Sequence, residues 1–326
     1  MFVSERQTFD MMKVLFVCSG NSKNGISPIT KSQGESIMKY ADVDVEYYTI
    51  KEKGIKGYYR SIRPLRKVLK TNHYDIVHAH FSLSAFVASF AEARPLVVSL
   101  MGSDVKAKGS YRLAIRLFSL IFSWKKIIVK SEDMRRSLGV KDVSVIPNGV
   151  NLDLFYPIDK EYCRRKLGWD SEKTHILFPA NPERREKNYE LAYNAVKNLK
   201  IDNIDLHCFV NVPHDETPYW YCASDVVLLT SLWEGSPNAI KESMACNCVI
   251  VSTKVGDVEW LLDGVKGCYL TDFSVDECTM LLLDALSFSK EHGSTMAREK
   301  LIEIGLDSKV VAKKLFDIYS ECIISR

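Results

Sequence analysis

Residues 225–251, DVVLLTSLWEGSPNAIKESMACNCVIV, constrain the fold more tightly than any other stretch of the chain. The apolar run VVLLT (226–230) has the length and composition of a strand buried on both faces, and VIVS (249–252) is a second. Only one loop and one helix fit between them, which is the connection that parallel strands require. Ser236 followed by Pro237 marks the expected helix start, with the serine capping the first free amides and the proline at the first helical position, where no amide is lost. Glu234 then stands in the loop at the strand's C-terminal end. Glu242 follows about a turn and a half into the helix, and the amides of Asn238 and Ala239 lie between the two acids.

A helix N-terminus at the carboxyl edge of a parallel sheet is an anion site, most naturally for phosphate. Two carboxylates beside it cannot hold the phosphate, because like charges repel. An ionised carboxylate can instead accept from two neighbouring hydroxyls, as ribose and hexose both offer. The ligand inferred is a diphosphate with a sugar at each end, a nucleotide sugar. The plain alternative makes Glu234 a turn residue and Glu242 part of a solvated helix face.

The string EGSPNAIKE over 234–242 resembles the E-x7-E signature of the retaining glycosyltransferases of family 4, which have the GT-B fold. The resemblance implies that Glu234 contacts the transferred sugar and Glu242 the ribose, with Gly235, Ser236, Pro237, Asn238 and Ala239 lining the donor. Further stretches carry it toward both termini. KVLFVCSG (13–20) is an apolar strand running into Gly20, with Gly25 following in the next loop; the family has a glycine loop here that approaches the donor diphosphate, though a plain turn would look the same. YDIVHAH (74–80) ends in His78 and His80, as a histidine-bearing strand end of the family does, facing the cleft. A satisfied core histidine is equally open there, and a metal pair lacks a third ligand. PLVVSLMGSDV (95–105) resembles a stretch where a histidine usually precedes the glycine. This chain has Met101 instead, which leaves Gly102, Ser103 and Asp104 as acceptor-side cleft candidates. IPNGVNLDLFYP (146–157) resembles the family's interdomain segment, and Pro147, Asn148 and Gly149 suit a tight turn on their own account.

A second half restarts at HILFPANPERREKNYELAYNAVKNL (175–199), a strand, a charged loop and an amphipathic helix. Arg184, Arg185 and Lys187 lie in that loop, where a pyrophosphate clamp belongs. The family places an Arg and a Lys here. Lys187 matches by its position before the helix, and Arg184 substitutes for an Arg usually set five or six residues earlier, where Asn181 or Pro182 stands. A solvated loop is the plain alternative.

The 326 residues, 46% hydrophobic and 26% charged, suffice for two globular cores. The net charge of +3 hides an asymmetry: residues 1–158 hold 24 Lys and Arg against 14 Asp and Glu, and the remainder 20 against 27. Within 51–70, eight basic residues (Lys51, Lys53, Lys56, Arg60, Arg63, Arg66, Lys67, Lys70) face the single acid Glu52. Arg63, Lys67 and Lys70 recur at helical spacing with Ile62, Leu65 and Leu69 on another face, which describes either a solvated amphipathic helix or a surface for anionic lipid or a polyanionic acceptor.

The nine cysteines show no CxxC pair and no zinc spacing, and with no signal peptide visible they are expected to be reduced cytoplasmic thiols. Asp42 and Asp44 form a D-x-D on one face of an expected strand, a structural placement, so no metal is expected. The first ten residues are expected to be a ragged extension. No stretch reaches the roughly 18 apolar residues of a membrane span.

The expected architecture is α/β, two Rossmann-like domains with parallel sheets facing a cleft. Residues 1–158 form the acceptor-side domain, joined by a C-terminal helix at about 306–326 that crosses back, and 159–305 bind the nucleotide sugar. The expected reaction moves a sugar from a nucleoside diphosphate to a glycan or lipid-linked acceptor hydroxyl with retained configuration, catalysed by Glu234, Arg184 and Lys187, with no cofactor. Nucleic acid is not an expected partner; peripheral contact with an anionic membrane is. The rivals are a sugar-nucleotide epimerase on the same architecture and a non-catalytic sugar-nucleotide or glycan-binding protein.

Overall fold

The computed structural model describes residues 11–22, 25–102, 104 and 109–324. The expected N-terminal extension and Ser103 lie outside these residues. The chain divides into two compact units, one of Met1–Val129, Leu138–Ser144 and Ala312–Arg326, the other of Lys130–Ser137 and Val145–Val311.

The first unit is built on strands β1 (Met12–Ser19), β2 (Val43–Ile50), β3 (Ile76–His80), β4 (Leu96–Ser99), β5 (Lys126–Val129) and β6 (Val143–Val145), in the order β2-β1-β3-β4-β5-β6. Pairing is parallel from β2 through β5. Val14 through Cys18 are all buried, because helices cover both faces of β1. A Ser-Pro helix start occurs in this unit: Ser27 Oγ accepts from the Thr30 amide at 3.2 Å, and Pro28 opens the helix Pro28–Tyr40. The basic run forms the helix Gly54–Thr71, with Leu65 buried and Arg60, Arg63, Lys67 and Lys70 exposed.

The second unit contains β7 (Thr174–Phe178), β8 (Ile204–Cys208), β9 (Val226–Leu229), β10 (Ile250–Thr253) and β11 (Cys268–Thr271), in the order β11-β10-β9-β7-β8 with every pairing parallel. Alternation along β9 divides the core in two. Val227 and Leu229 join Ile240 and Met244 of the helix Asn238–Ala245 on one face, while Val226 and Leu228 join Leu191, Ala195 and Leu282 on the other. Burying each such Val or Leu contributes about 1.5–3 kcal/mol relative to leaving it exposed. The strand β11 and the helices Lys160–Leu167, Val258–Leu262 and Ala297–Glu303 were not anticipated, since elements this short show too little periodicity.

The tight turn after β6 is held from below. Gly149 approaches the C-terminal helix so closely that a Cβ would sit 2.7 Å from Ser308 Cα. Val150 closes this contact, donating to Leu306 O at 2.9 Å and accepting from the Ser308 amide at 2.8 Å.

Candidate functional site

The segments after β7 and β9 are stitched together through backbone carbonyls of the first. Leu232 N donates to Glu186 O at 2.9 Å, and Thr230 Oγ1 reaches Lys187 O at 3.1 Å and Asn188 O at 2.9 Å. This brings Lys187 and Glu234 into direct contact, an ion pair whose side chains are only 12% and 17% exposed. Ser231 Oγ donates to the same carboxylate oxygen, Glu234 Oε1, at 2.8 Å. Among the described residues Oε2 takes no hydrogen bond, and it is the oxygen a ligand hydroxyl can use.

Arg184 has a different environment. It ion-pairs with Glu186 at 2.7 Å, with its own side chain 56% exposed; burial by itself would raise the Glu186 carboxyl, but a backbone hydrogen bond and the bond and charge of Arg184 together hold it below the ordinary carboxylate value. Arg185 is exposed as well. Of the basic cluster, only Lys187 is joined to either acid of the E-x7-E.

Glu242 is 12% exposed and engaged on both oxygens, by His214 Nε2 at 3.0 Å and by the Tyr221 hydroxyl at 3.0 Å. A carboxylate offers about four acceptor positions, so two remain for a diol. Burial opposes protonation of His214, but the hydrogen bond and charge of Glu242 outweigh it and raise the ring above its ordinary value. Burial, and then Glu242, push the fully buried Tyr221 phenol well up. Neither His214 nor Tyr221 carried a signal in the sequence, because they reach Glu242 from residues 28 and 21 positions away.

The helix start differs from the expectation. Pro237 is the N-cap, with extended backbone at ψ 118°, and no side chain caps the helix Asn238–Ala245. Helical geometry begins one residue later than expected, so the capping position falls on a residue without a side-chain oxygen and Ser236 is displaced from it. The first amides of this helix, those of Asn238 and Ala239 among them, have no carbonyl of their own helix to bind.

Lys241 was also not anticipated. It is fully buried and donates to Asn148 O at 2.8 Å, anchoring the turn before Gly149 under the helix. Burial lowers its ammonium to about 8, and burial raises the neighbouring Asp257 carboxyl to about 6 despite the opposing charge of Lys241. Gly256, at φ +61°, lies so close to the Glu234–Gly235 backbone that a Cβ would stand 2.6 Å from Gly235 O. Replacing Gly256 by Ala must therefore move that backbone or strain its own, at a cost of about 1–3 kcal/mol. The expected result is a fall in turnover with unchanged far-ultraviolet circular dichroism; unaltered turnover would show that the position of Glu234 is not set by this contact.

The candidates of the first unit are mostly architectural. His78 is fully buried with both nitrogens bonded, Nδ1 to Tyr319 Oη at 2.6 Å and Nε2 to Ser99 Oγ at 2.8 Å. This burial and these two bonds are those of a satisfied core histidine. His80 is buried with its ring 4.3 Å from that of His78. Asp104, also assigned to the cleft, turns inward: its carboxylate accepts from the amides of Met101 and Gly102 at 3.0 Å and of Ser82 at 3.3 Å, and burial raises its pKa. Gly20 packs on β2, where a Cβ would meet Thr49 Cβ at 3.0 Å, and Gly25 closes a turn through paired backbone bonds with Ser22. Asp42 and Asp44 join no cluster of metal-ligating groups among the described residues.

Residues 29–154 match the model of Glycosyltransferase Family 4 and residues 173–287 that of Glycosyl transferases group 1. A protein of Bacillus subtilis (strain 168) provisionally named as the teichuronic acid biosynthesis glycosyltransferase TuaC is 26% identical over 216 residues, 57% of this chain and 55% of that protein. This chain thus spans little more than half of that relative. UDP-Gal:alpha-D-GlcNAc-diphosphoundecaprenol alpha-1,3-galactosyltransferase of Escherichia coli is 23% identical over 313 residues, 82% of this chain and 80% of that protein. Among solved structures, sucrose-phosphate synthase from Thermosynechococcus elongatus matches with a TM-score of 0.83 at 13% identity, covering 97% of this chain and 100% of that chain. With both halves matched in sequence and both sheets matched in fold, the chain belongs to the family 4, group 1 glycosyltransferases and has the GT-B fold.

Proposed function

We propose that the protein transfers a glycosyl group from a nucleoside diphosphate sugar to the hydroxyl of a glycan or lipid-linked acceptor, with retention of configuration and without a cofactor. The observation that carries this reading is the junction of the loops after β7 and β9, which sets Lys187 against Glu234 beside the helix bearing Glu242. Glu242 holds the ribose diol and Glu234 Oε2 a hydroxyl of the transferred sugar. Lys187 and the first amides of the helix Asn238–Ala245 stabilise charge on the leaving diphosphate, whose oxygen takes the acceptor's proton. The Escherichia coli relative, named for UDP-Gal and a diphosphoundecaprenol-linked acceptor, supports this substrate class. Incubation with a panel of nucleotide sugars should release diphosphate only when an acceptor such as a polyprenyl-diphosphate sugar is present. Interconversion of the sugars, or binding with no release from any acceptor tried, would overturn the assignment. The anomeric configuration of the product, read by NMR, tests retention.

An acceptor of this kind lies at a leaflet surface, and the first unit has a face suited to one. Along the helix Gly109–Ile121, Leu113, Leu117, Leu120 and Ile121 form an exposed apolar stripe, the last two 74% and 67% exposed. Phe118 of that helix packs on Phe90, whose carbonyl accepts from Arg66 of the basic helix. Apolar stripe and basic helix are therefore joined. Among the described residues no helix is long and apolar enough to cross a membrane, so the occupant proposed is an anionic leaflet met peripherally from the cytoplasmic side. Basic residues contribute about 1 kcal/mol each at such a surface. Cosedimentation with anionic vesicles should be salt-sensitive and lost when Arg60, Arg63, Lys67 and Lys70 are changed to Gln, whereas neutral vesicles should bind weakly. Absence of binding to anionic vesicles at low salt would leave the basic helix as solvated surface.

A further inference from the structure

The start of β7 and the facing part of β8 hold a cluster unrelated to the sugar site. His175 pairs with Asp205 across the two strands and Leu177 with His207, so the three polar side chains share one face of the sheet. Their potential ligand atoms all lie within 4.8 Å of one another, and this is the one such group among the described residues.

The two imidazoles are set as a metal would need them. His175 is fully buried, and its Nε2 donates to Asp170 O at 2.7 Å. That bond places the proton on Nε2 and leaves Nδ1 as a lone pair directed at His207 Nε2, 2.9 Å away. A backbone carbonyl fixing the tautomer and orientation of a ring in this way is the usual outer support of a metal-bound histidine. The ring of His207 is fixed too, lying flat on Trp169 with centroids 3.5 Å apart and planes 5° from parallel. Two nitrogens each about 2.0–2.1 Å from a zinc ion are about 2.9–3.4 Å apart for angles between the square and tetrahedral values, so the observed separation already lies at the lower end.

We propose that His175 Nδ1, His207 Nε2 and the Asp205 carboxylate form a site for a divalent transition-metal ion of the zinc type, tying β7 to β8. Binding requires His207 to carry its proton on Nδ1 rather than Nε2, and Asp205 to leave Lys173, which it meets at 3.3 Å in a pair more than a third exposed on each side. Exposed pairs of this kind contribute little. His207 and Asp205 are partly exposed, which gives the ion an entry path and water as a fourth ligand. Since His175 lies near the start of β7 while Lys187 follows its far end, the ion acts on stability and not on glycosyl transfer.

The test uses the full chain without a histidine tag. Titration with cobalt(II) should give saturable visible d–d absorption at one equivalent, and zinc at about a hundredfold excess over its dissociation constant should raise Tm by about 5 °C or more, reversed by EDTA. Both effects should vanish in His207→Gln and weaken in Asp205→Asn, partly exposed positions where the fold is expected to survive, as circular dichroism would verify. No saturable cobalt band, or a band and Tm shift kept in His207→Gln, would overturn the site and leave an ordinary hydrogen-bonded histidine pair.

Discussion

Replacing Lys187 by Ala lowers kcat/KM for the donor by about 10²–10³-fold, the usual cost of removing one preorganised group that stabilises developing charge. Lys187 is placed for this by the Thr230 hydroxyl on its own carbonyl, by the Leu232 amide on the preceding carbonyl of Glu186 and by its contact with Glu234, with little exposure to water. The same change at Arg184 should cost less than about 5-fold, because an exposed pair with Glu186 contributes under about 1 kcal/mol. The sequence alone puts both in one clamp, Lys187 by its matching position and Arg184 as a substitute for an Arg absent at 181–182; the structure gives them different environments. Calorimetry with the nucleoside diphosphate and with the nucleoside distinguishes the roles, since Lys187→Ala should weaken the first and spare the second. If Arg184→Ala proves as damaging as Lys187→Ala, the loop closes differently over the donor and the separation is wrong.

Glu242→Ala should raise the dissociation constant of the nucleoside diphosphate about ten- to a hundredfold, as expected for a lost charged partner worth about 1.5–3 kcal/mol. Glu234→Gln should leave that constant nearly unchanged and lower turnover, because its hydroxyl belongs to the transferred sugar. Equal loss of diphosphate affinity in both would sink the assignment. Glu242→Ala also strands the buried Tyr221 hydroxyl, so Glu242→Gln, which keeps an acceptor, is the cleaner variant for binding.

The pair with His214 has a pH signature. The folded-state value of His214 stands above its ordinary 6.5, so the stability it contributes is complete below that value and is lost as pH rises through the raised one. In Glu242→Gln this part of the stability profile should flatten and the His214 titration, followed by NMR, should move down. A His214 titration unchanged by the substitution would mean that the two side chains do not meet in solution.

The sequence by itself determined what is local and periodic. Runs such as VVLLT and VIVS can satisfy their backbones and bury both faces only as parallel strands with helices between them, and the E-x7-E spacing follows from the loop and helix that connect them. The tertiary structure decided depth and partnership. His78 and His80 end a strand in either case, but only the arrival of Tyr319, 241 residues away, makes His78 a core residue. Asp104 looks like a loop acid until the amides of Met101, Gly102 and Ser82 converge on it. Lys241 carries no signal in the sequence and gains its role only where it meets Asn148 O. His175 and His207 are separated by 32 residues and become neighbours through the β7–β8 register. Periodicity reports which face a side chain shares with its neighbours along the chain. Which distant group meets that face is settled by how the strands and helices pack, and on that packing depend whether a charge is neutralised, a hydroxyl is satisfied and a ligand atom is left to act.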